Sequence, residues 1–461
     1  MTKGMTGATN AARPDVENQR DRYGGWKATR FKATGFFRLE KDNRWWLVTP
    51  EGHAFLSFGI NHIHTEWWNA PYNSAHWMRE FGAQSLDDPA FGRGLRKRLM
   101  HDLKDFGFNT LGIHCDRKVL NRPEPFMPYI QRYLIVETPH WREPDEQKFL
   151  DVFAPTFERH CDDVARRTAG RLRDDPLLLG YAMTDCPILT DWDAKERGDT
   201  VYGAPRKALP TWPRVLRNLP HDRPGKQAYV ATVRALYRDS IEAFNEAYST
   251  TFSSFDALAM AENWRPYTEV SNGHELRDNT EFLKNVVDRY YSVAYDALRR
   301  YDSNHLFFGD KLNGNTDAAD TVVGVTSKYT DVIFHQTYGR HPMQHASLDR
   351  WSARTGKPLF NGDSGYAVAT EMMPRPCGPI AESQEERAAW VTEFAEQMFG
   401  RPDFVGWSFC GYIDSWKTHS PLEALRQHTG LITPTGERHE LMQHTLRDIA
   451  ERLYEIGTAA L

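Results

Sequence analysis

Eight short apolar runs, separated for the most part by stretches of helical periodicity, dominate the pattern of this chain. The first ends at Ile60, and the others cover Phe108–Ile113, Tyr129–Ile135, Leu177–Met183, His305–Gly309, Val332–His335, Pro358–Asn361 and Phe404–Phe409. Runs this short, without polar alternation, are strands buried on both faces, and their alternation with helices calls for a parallel sheet. The phrase Asp102–Gly107 closes a helix on glycine and feeds the second strand. Further on, Tyr229, Val233, Leu236, Tyr237, Ile241 and Phe244 are spaced by helical turns, as are Phe282, Val286, Tyr290 and Ala294, which marks core stripes. Ser383 with Glu386 forms a capping box ahead of the last strand. The expected fold is α/β: a single (β/α)8 TIM barrel with an N-terminal β-hairpin around Lys41-Asp42-Asn43. A long Pro-, Arg- and Gly-rich insertion after strand 4, from about Asp191 to Gly225, is a candidate lid or specificity loop. Residues 1–22 read as a flexible tail and 23–461 as the barrel domain.

Composition excludes several classes of function. A net charge of −5 with interspersed signs leaves no basic stripe for nucleic acid, and no stretch is long and apolar enough to span a bilayer. The opening residues lack the apolar run of a secretory signal. Five scattered cysteines, Cys115, Cys161, Cys186, Cys377 and Cys410, suit a reducing cytoplasm better than a disulfide framework. No glycine-rich phosphate loop is present, and no cofactor or metal is expected. The aromatic content of 13 %, with 14 Trp, fits a sugar cleft and a large core equally well.

In such a barrel, chemistry sits at the carboxyl ends of the strands. There the chain carries Asn61, His62 and His64 after strand one, His114 after strand two, Glu137 after strand three and Asp185 with Cys186 after strand four. Lys311 and Asn313 follow strand five, His335 and Tyr338 strand six, Asp363 strand seven, and Trp407, Asp414 and Trp416 strand eight. Carboxylates converging among amides and aromatics suit glycosidic chemistry, in which one acid protonates the leaving oxygen and a second carboxylate stabilises the anomeric centre.

These phrases resemble the barrel clan of retaining glycoside hydrolases that includes β-galactosidases, cellulases and agarases, with agarase-like proteins nearest. The likeness rests on Gly35–Asn61, Phe106–His114, Leu177–Asp185, Lys357–Ala367, Val405–Trp416 and His428–Glu437. That clan ends strand four with Asn-Glu, where this chain has Asp185-Cys186, and offers a Glu on strand seven, where this chain has Asp363. The resemblance implies Asp363 as nucleophile or base and Asp185 as proton donor, with Glu137 a reserve acid. Asn61, His62, His114, His335 and Asp414 are candidate sugar contacts by their strand-end positions, Lys311 and Asn313 either bind sugar hydroxyls or satisfy one another, and Trp407 and Trp416 are stacking candidates; the resemblance implies a hydrogen bond from Tyr338 to the strand-seven carboxylate. Trp264 is either a stacking or a packing residue, and Cys186 a buried filler. The expected activity is exo-acting hydrolysis of an oligosaccharide or small glycoside inside the cell, with a homo-oligomer left open. Two alternatives stand beside it. One is a metal-dependent amidohydrolase-like barrel built on His62, His64, Lys311, His335 and Asp414; the other is a carbohydrate-binding barrel without a catalyst.

Overall fold

The structure, a computed structural model, describes residues 18–116, 126–133, 149–191, 211–266, 273–316, 318–416 and 427–459. Four short strands come first, β1 (Trp26–Arg30), β2 (Arg38–Lys41), β3 (Trp45–Val48) and β4 (His53–Phe55), forming an antiparallel sheet of order β1-β4-β3-β2. The expected hairpin is the β2–β3 pair, which matches Leu39 with Leu47 and Lys41 with Trp45. The sheet is wider than a hairpin because β4 and β1 extend it. β1 is mostly polar and carries no inward alternation a sequence pattern could register. Packing begins ahead of residue 23: the Asp21 carboxylate accepts hydrogen bonds from the Tyr23 and Gly25 amides and the Thr49 hydroxyl.

Eight parallel strands then close a barrel in chain order: β5 (Ser57–Ile60), β6 (Thr110–Leu111), β7 (Tyr129–Arg132), β8 (Leu178–Asp185), β9 (Leu306–Asn313), β10 (Ile333–Gln336), β11 (Leu359–Ser364) and, after the short parallel pair β12 (Ala367–Val368) and β13 (Ile380–Ala381), β14 (Phe404–Phe409). A last pair, β15 (Ser415–Trp416) with β16 (Gln427–His428), lies beyond the barrel's end. Helices such as Pro89–Phe106, Pro155–Leu172, Gly273–Tyr301 and Gln384–Phe399 separate the strands, and Ser383 caps the last of these by accepting from the Glu386 amide at 3.2 Å. Among the described residues no helix is long and apolar enough to cross a membrane.

The barrel interior is filled rather than hollow. Phe308, Phe334 and Phe360 meet edge to face at 5.3, 5.5 and 5.6 Å and form an aromatic layer. Below it, Tyr23, Phe37, Leu47 and Phe55 pack with Leu179, Leu306, Val332 and Val405, which stand at the beginnings of their strands. The N-terminal sheet thus plugs the amino-terminal end, and polar chemistry is left to the other.

Of the insertion, residues 192–210 lie outside the described residues. Its remainder is helical, with Trp212–Arg217 and Pro224–Leu236 leading into Ile241–Tyr248 and Phe255–Met260. Buried Arg217 and half-buried Arg265 share Glu275, and Asp191 takes Arg214 and Asn279, so this segment is tied to the long Gly273–Tyr301 helix. Trp264 sits among the rings of Tyr229, Phe244, Tyr248 and Phe252, which settles it as a packing residue.

Candidate active site

The charged residues at the carboxyl ends of β8, β9 and β11 converge on a single ammonium. Lys311, fully buried on β9, places its Nζ 3.0 Å from Asp185 Oδ1, 2.8 Å from Asp363 Oδ2 and 2.7 Å from His114 Nε2. Both carboxylates touch the same nitrogen, which caps the separation of those two oxygens at about 5.8 Å. His62 Nε2 lies 3.1 Å from Asp363 Oδ2, and Asn61 Nδ2 donates to Asp363 Oδ1 at 3.2 Å and to the Gly362 carbonyl at 2.5 Å. Asn61 Oδ1 accepts from the His114 amide at 3.1 Å, so one side chain joins the ends of β5, β6 and β11.

Burial disfavours every charge here, and pairing decides which survive. Burial would lower the Lys311 ammonium, but the carboxylates of Asp185 and Asp363 more than offset it and raise its pKa above the ordinary value. Asp363 is likewise penalised by burial, yet Lys311 and then His62 hold it well below the usual carboxylate range. His114 is brought down to about 4 by burial and by Lys311, so its neutral ring accepts a hydrogen bond from the Lys311 ammonium at Nε2. Burial and the neighbouring His62 and His114 bring His64 to about 3. At neutral pH the cluster therefore holds the Asp363 carboxylate against the Lys311 ammonium.

Strand irregularities aim these side chains. A regular pleat alternates sides. Register shifts between Ala182 and Asp185 on the β8–β9 ladder, and between Asn361 and Ser364 on the β11–β14 ladder, break the alternation and turn both aspartates inward. His62 and Cys186 hold left-handed backbone at φ 57° and 45°, a strained conformation that collects at functional sites. Gly112 is needed for close approach, because a Cβ there would press into the Asn61 amide. Gly112→Ala is expected to cost about 1–3 kcal/mol by urea unfolding and to loosen Asp363 through Asn61.

Several expected residues lie elsewhere. His335 points to the helix layer, because its neighbour Phe334 takes the inward position. Its ring meets Trp351 at 5.5 Å and its Nδ1 lies 2.9 Å from Thr337 Oγ1. Trp407 is also turned outward, following an irregularity at Val405–Gly406. It packs on Phe394 at 4.5 Å and donates to Ser364 Oγ at 3.0 Å, so it is core and not a stacking platform. Asp414 braces loops, accepting from the Gly430 amide at 2.5 Å and meeting His439 Nε2 at 3.0 Å. With His335 and Asp414 away from Lys311, the amidohydrolase ligand set is not assembled. Asn313 supports the following turn through the Asn315 amide at 3.0 Å. Tyr338 packs with Cys377 and Cys410, and its hydroxyl bonds the Cys410 sulfur. Trp416 stacks on Tyr72 at 3.9 Å on the rim. Cys186 is fully buried and burial raises its thiol pKa, in keeping with a filler. Glu137 lies outside the described residues.

Sequence reasoning missed three neighbours. Gln336 follows His335 on the inward side and buries an Oε1 that finds no hydrogen-bond partner among the described residues; the pleat would have found it once Phe334 was placed inside. His428 and Cys410 stand at the mouth as well. His62 is stacked between His114 at 4.8 Å and His428 at 4.7 Å, and His428 Nδ1 lies 3.4 Å from Cys410 Sγ. His428 comes from β16, well past the last barrel strand, where no strand-end rule looks.

No family model matches this sequence. Beta-agarase B of Vibrio sp. (strain JT0107) is 21 % identical over 479 aligned positions, covering 90 % of this chain and 48 % of that protein. Beta-agarase A of the same organism is 23 % identical over 233 positions, 49 % of this chain and 22 % of that one. The chain thus spans about half the length, or less, of the curated relatives it matches. Among solved structures, an exo-beta-agarase superposes with a TM-score of 0.77 at 19 % identity, over 95 % of this chain and 68 % of the other. An agarase does so with 0.75 at 18 %, over 96 % and 69 %. At these identities the structural likeness is one of fold, an agarase-like TIM barrel.

Proposed function

We propose that this chain is a glycoside hydrolase that removes sugar units from the end of an oligosaccharide or cleaves a small glycoside, with Asp363 as nucleophile or base and Asp185 as proton donor. The observation that carries the reading is the pair of aspartates sharing Lys311, their shared-contact oxygens no more than about 5.8 Å apart. That spacing suits the retaining geometry of roughly 5–5.5 Å better than the inverting one of about 6.5–9.5 Å. The ionised Asp363 carboxylate favours the positive charge that develops at the anomeric carbon. The similarity to β-agarases supports a neutral galactan-type substrate and exo action. Five free thiols agree with a reducing cytoplasm, and the barrel with the segment from Asp21 that packs on it serves as the catalytic domain.

A second reading, a barrel that binds sugar without turning it over, is favoured by one observation. Lys311 keeps company with both carboxylates, and an acid paired with a buried ammonium holds its proton poorly. One experiment separates the two. The purified chain is incubated with aryl β-glycosides and with agar-derived and plant oligosaccharides, following both product release and thermal shift. Release of one small product from chain ends supports the hydrolase; a thermal shift with no product after prolonged incubation selects the binding barrel.

A further inference from the structure

Beside the aspartate pair, the barrel mouth holds a second cluster with a different chemical character. His62, Cys410 and His428 each offer a ligand atom, all within 4.8 Å of one another, from the end of β5, the end of β14 and β16. Cys410 and His428 are buried, and His62 is the member that reaches solvent. We propose that His62, Cys410 and His428 form a binding site for one borderline-soft divalent cation of the zinc class, with a fourth position open to the mouth.

The donor set argues for the metal. One thiolate with two imidazoles selects zinc-like ions over magnesium or calcium, which demand oxygen. In a tetrahedral zinc site with Zn–S about 2.3 Å and Zn–N about 2.0–2.1 Å, the sulfur–nitrogen edge is about 3.5 Å. The Cys410 Sγ to His428 Nδ1 distance is 3.4 Å, so two ligands already stand at that edge. The three ligand atoms lie within 4.8 Å of one another, so His62 has to close on the other two by a side-chain rotation. With its Nε2 engaged by Asp363, Nδ1 is the nitrogen this ring has left to offer, and a carboxylate behind a histidine is the usual outer partner of a metal ligand. Binding releases the Cys410 thiol proton to solvent as the sulfur–metal bond forms.

Two other groupings are excluded by their present partners. His62, His114 and Asp363 also approach one another, but the Lys311 ammonium occupies the space between His114 and Asp363. Asp21, Glu51 and His53 approach too, yet Asp21 is spent on Thr49, Tyr23 and Gly25, and Glu51 pairs with Arg22.

The site stands independently of any hydrolytic activity, and its test does not use one. Chelator-stripped full-length chain is titrated with Zn2+ by calorimetry and with Co2+ by absorbance. One equivalent should bind, with a thiolate-to-cobalt charge-transfer band. Cys410→Ser should erase the band, and Cys410→Ser and His428→Gln should each weaken binding at least about tenfold in chains whose metal-free melting matches the parent. X-ray absorption at the zinc edge of the unmodified chain reads the ligands without any substitution, and one sulfur with two or more nitrogens is expected. Absence of stoichiometric binding, a charge-transfer band that persists in Cys410→Ser, or a zinc shell without sulfur would each overturn the site.

Discussion

Lys311→Met is expected to destabilise the chain by about 3–5 kcal/mol at pH 7, read from urea unfolding. The side chain is fully buried and is the ammonium that Asp185 and Asp363 share, so its loss leaves the buried Asp363 carboxylate without its main counter-charge. Methionine fills much of the vacated volume, which keeps the effect electrostatic. The pH dependence carries the sign. In the parent, Asp363 is held well below its ordinary 3.8. Its ionisation therefore stabilises the fold above the titration of the unfolded carboxyl, and that contribution is lost as pH falls through the depressed folded value. Without Lys311, the largest favourable influence on that carboxyl, the folded value rises and burial makes the ionised form costly at neutral pH. The gap between parent and variant should be widest near pH 7 and narrow steadily toward pH 3. A gap that stays constant over this range would mean that Lys311 acts by packing alone.

The second large effect concerns turnover. Asp363→Asn keeps the shape, and its amide can still lie against Asn61 and His62, but it removes the charge, so kcat should fall by about a thousandfold or more on any glycoside the parent cleaves, with a native melting curve. Asp185→Asn should lose about 10²–10⁴ on substrates with poor leaving groups. On aryl glycosides with acidic phenols the Asp185 loss should shrink, because such leaving groups need little protonation, while the Asp363 loss persists. That split distinguishes proton donor from nucleophile without a structure of the complex. The reverse pattern would exchange the two roles, and retention of full activity by both variants would remove the aspartate pair from the chemistry.

Much of the architecture was legible because its signals are local. Buried parallel strands are short apolar runs, Gly107 ends its helix with a left-handed φ of 82°, and Ser383 caps a helix by reaching three residues ahead. The eight strand positions, the alternation with helices and the presence of Asp185, Lys311 and Asp363 at carboxyl ends all followed from neighbours along the chain. The N-terminal sheet was only half visible, since β1 has little apolar patterning and owes its place to pairing with β4.

What tertiary structure alone decided is direction. Whether a strand-end residue faces the mouth or the helices depends on an unbroken pleat, and bulges in β8, β11 and β14 add a residue that reverses the count. A bulge arises from how one strand pairs with a distant one, so no local window reveals it. Asp363 was turned in and Trp407 out for that reason. The same non-locality brought His428 from beyond the barrel onto the His62 ring, a meeting that only the closed fold makes.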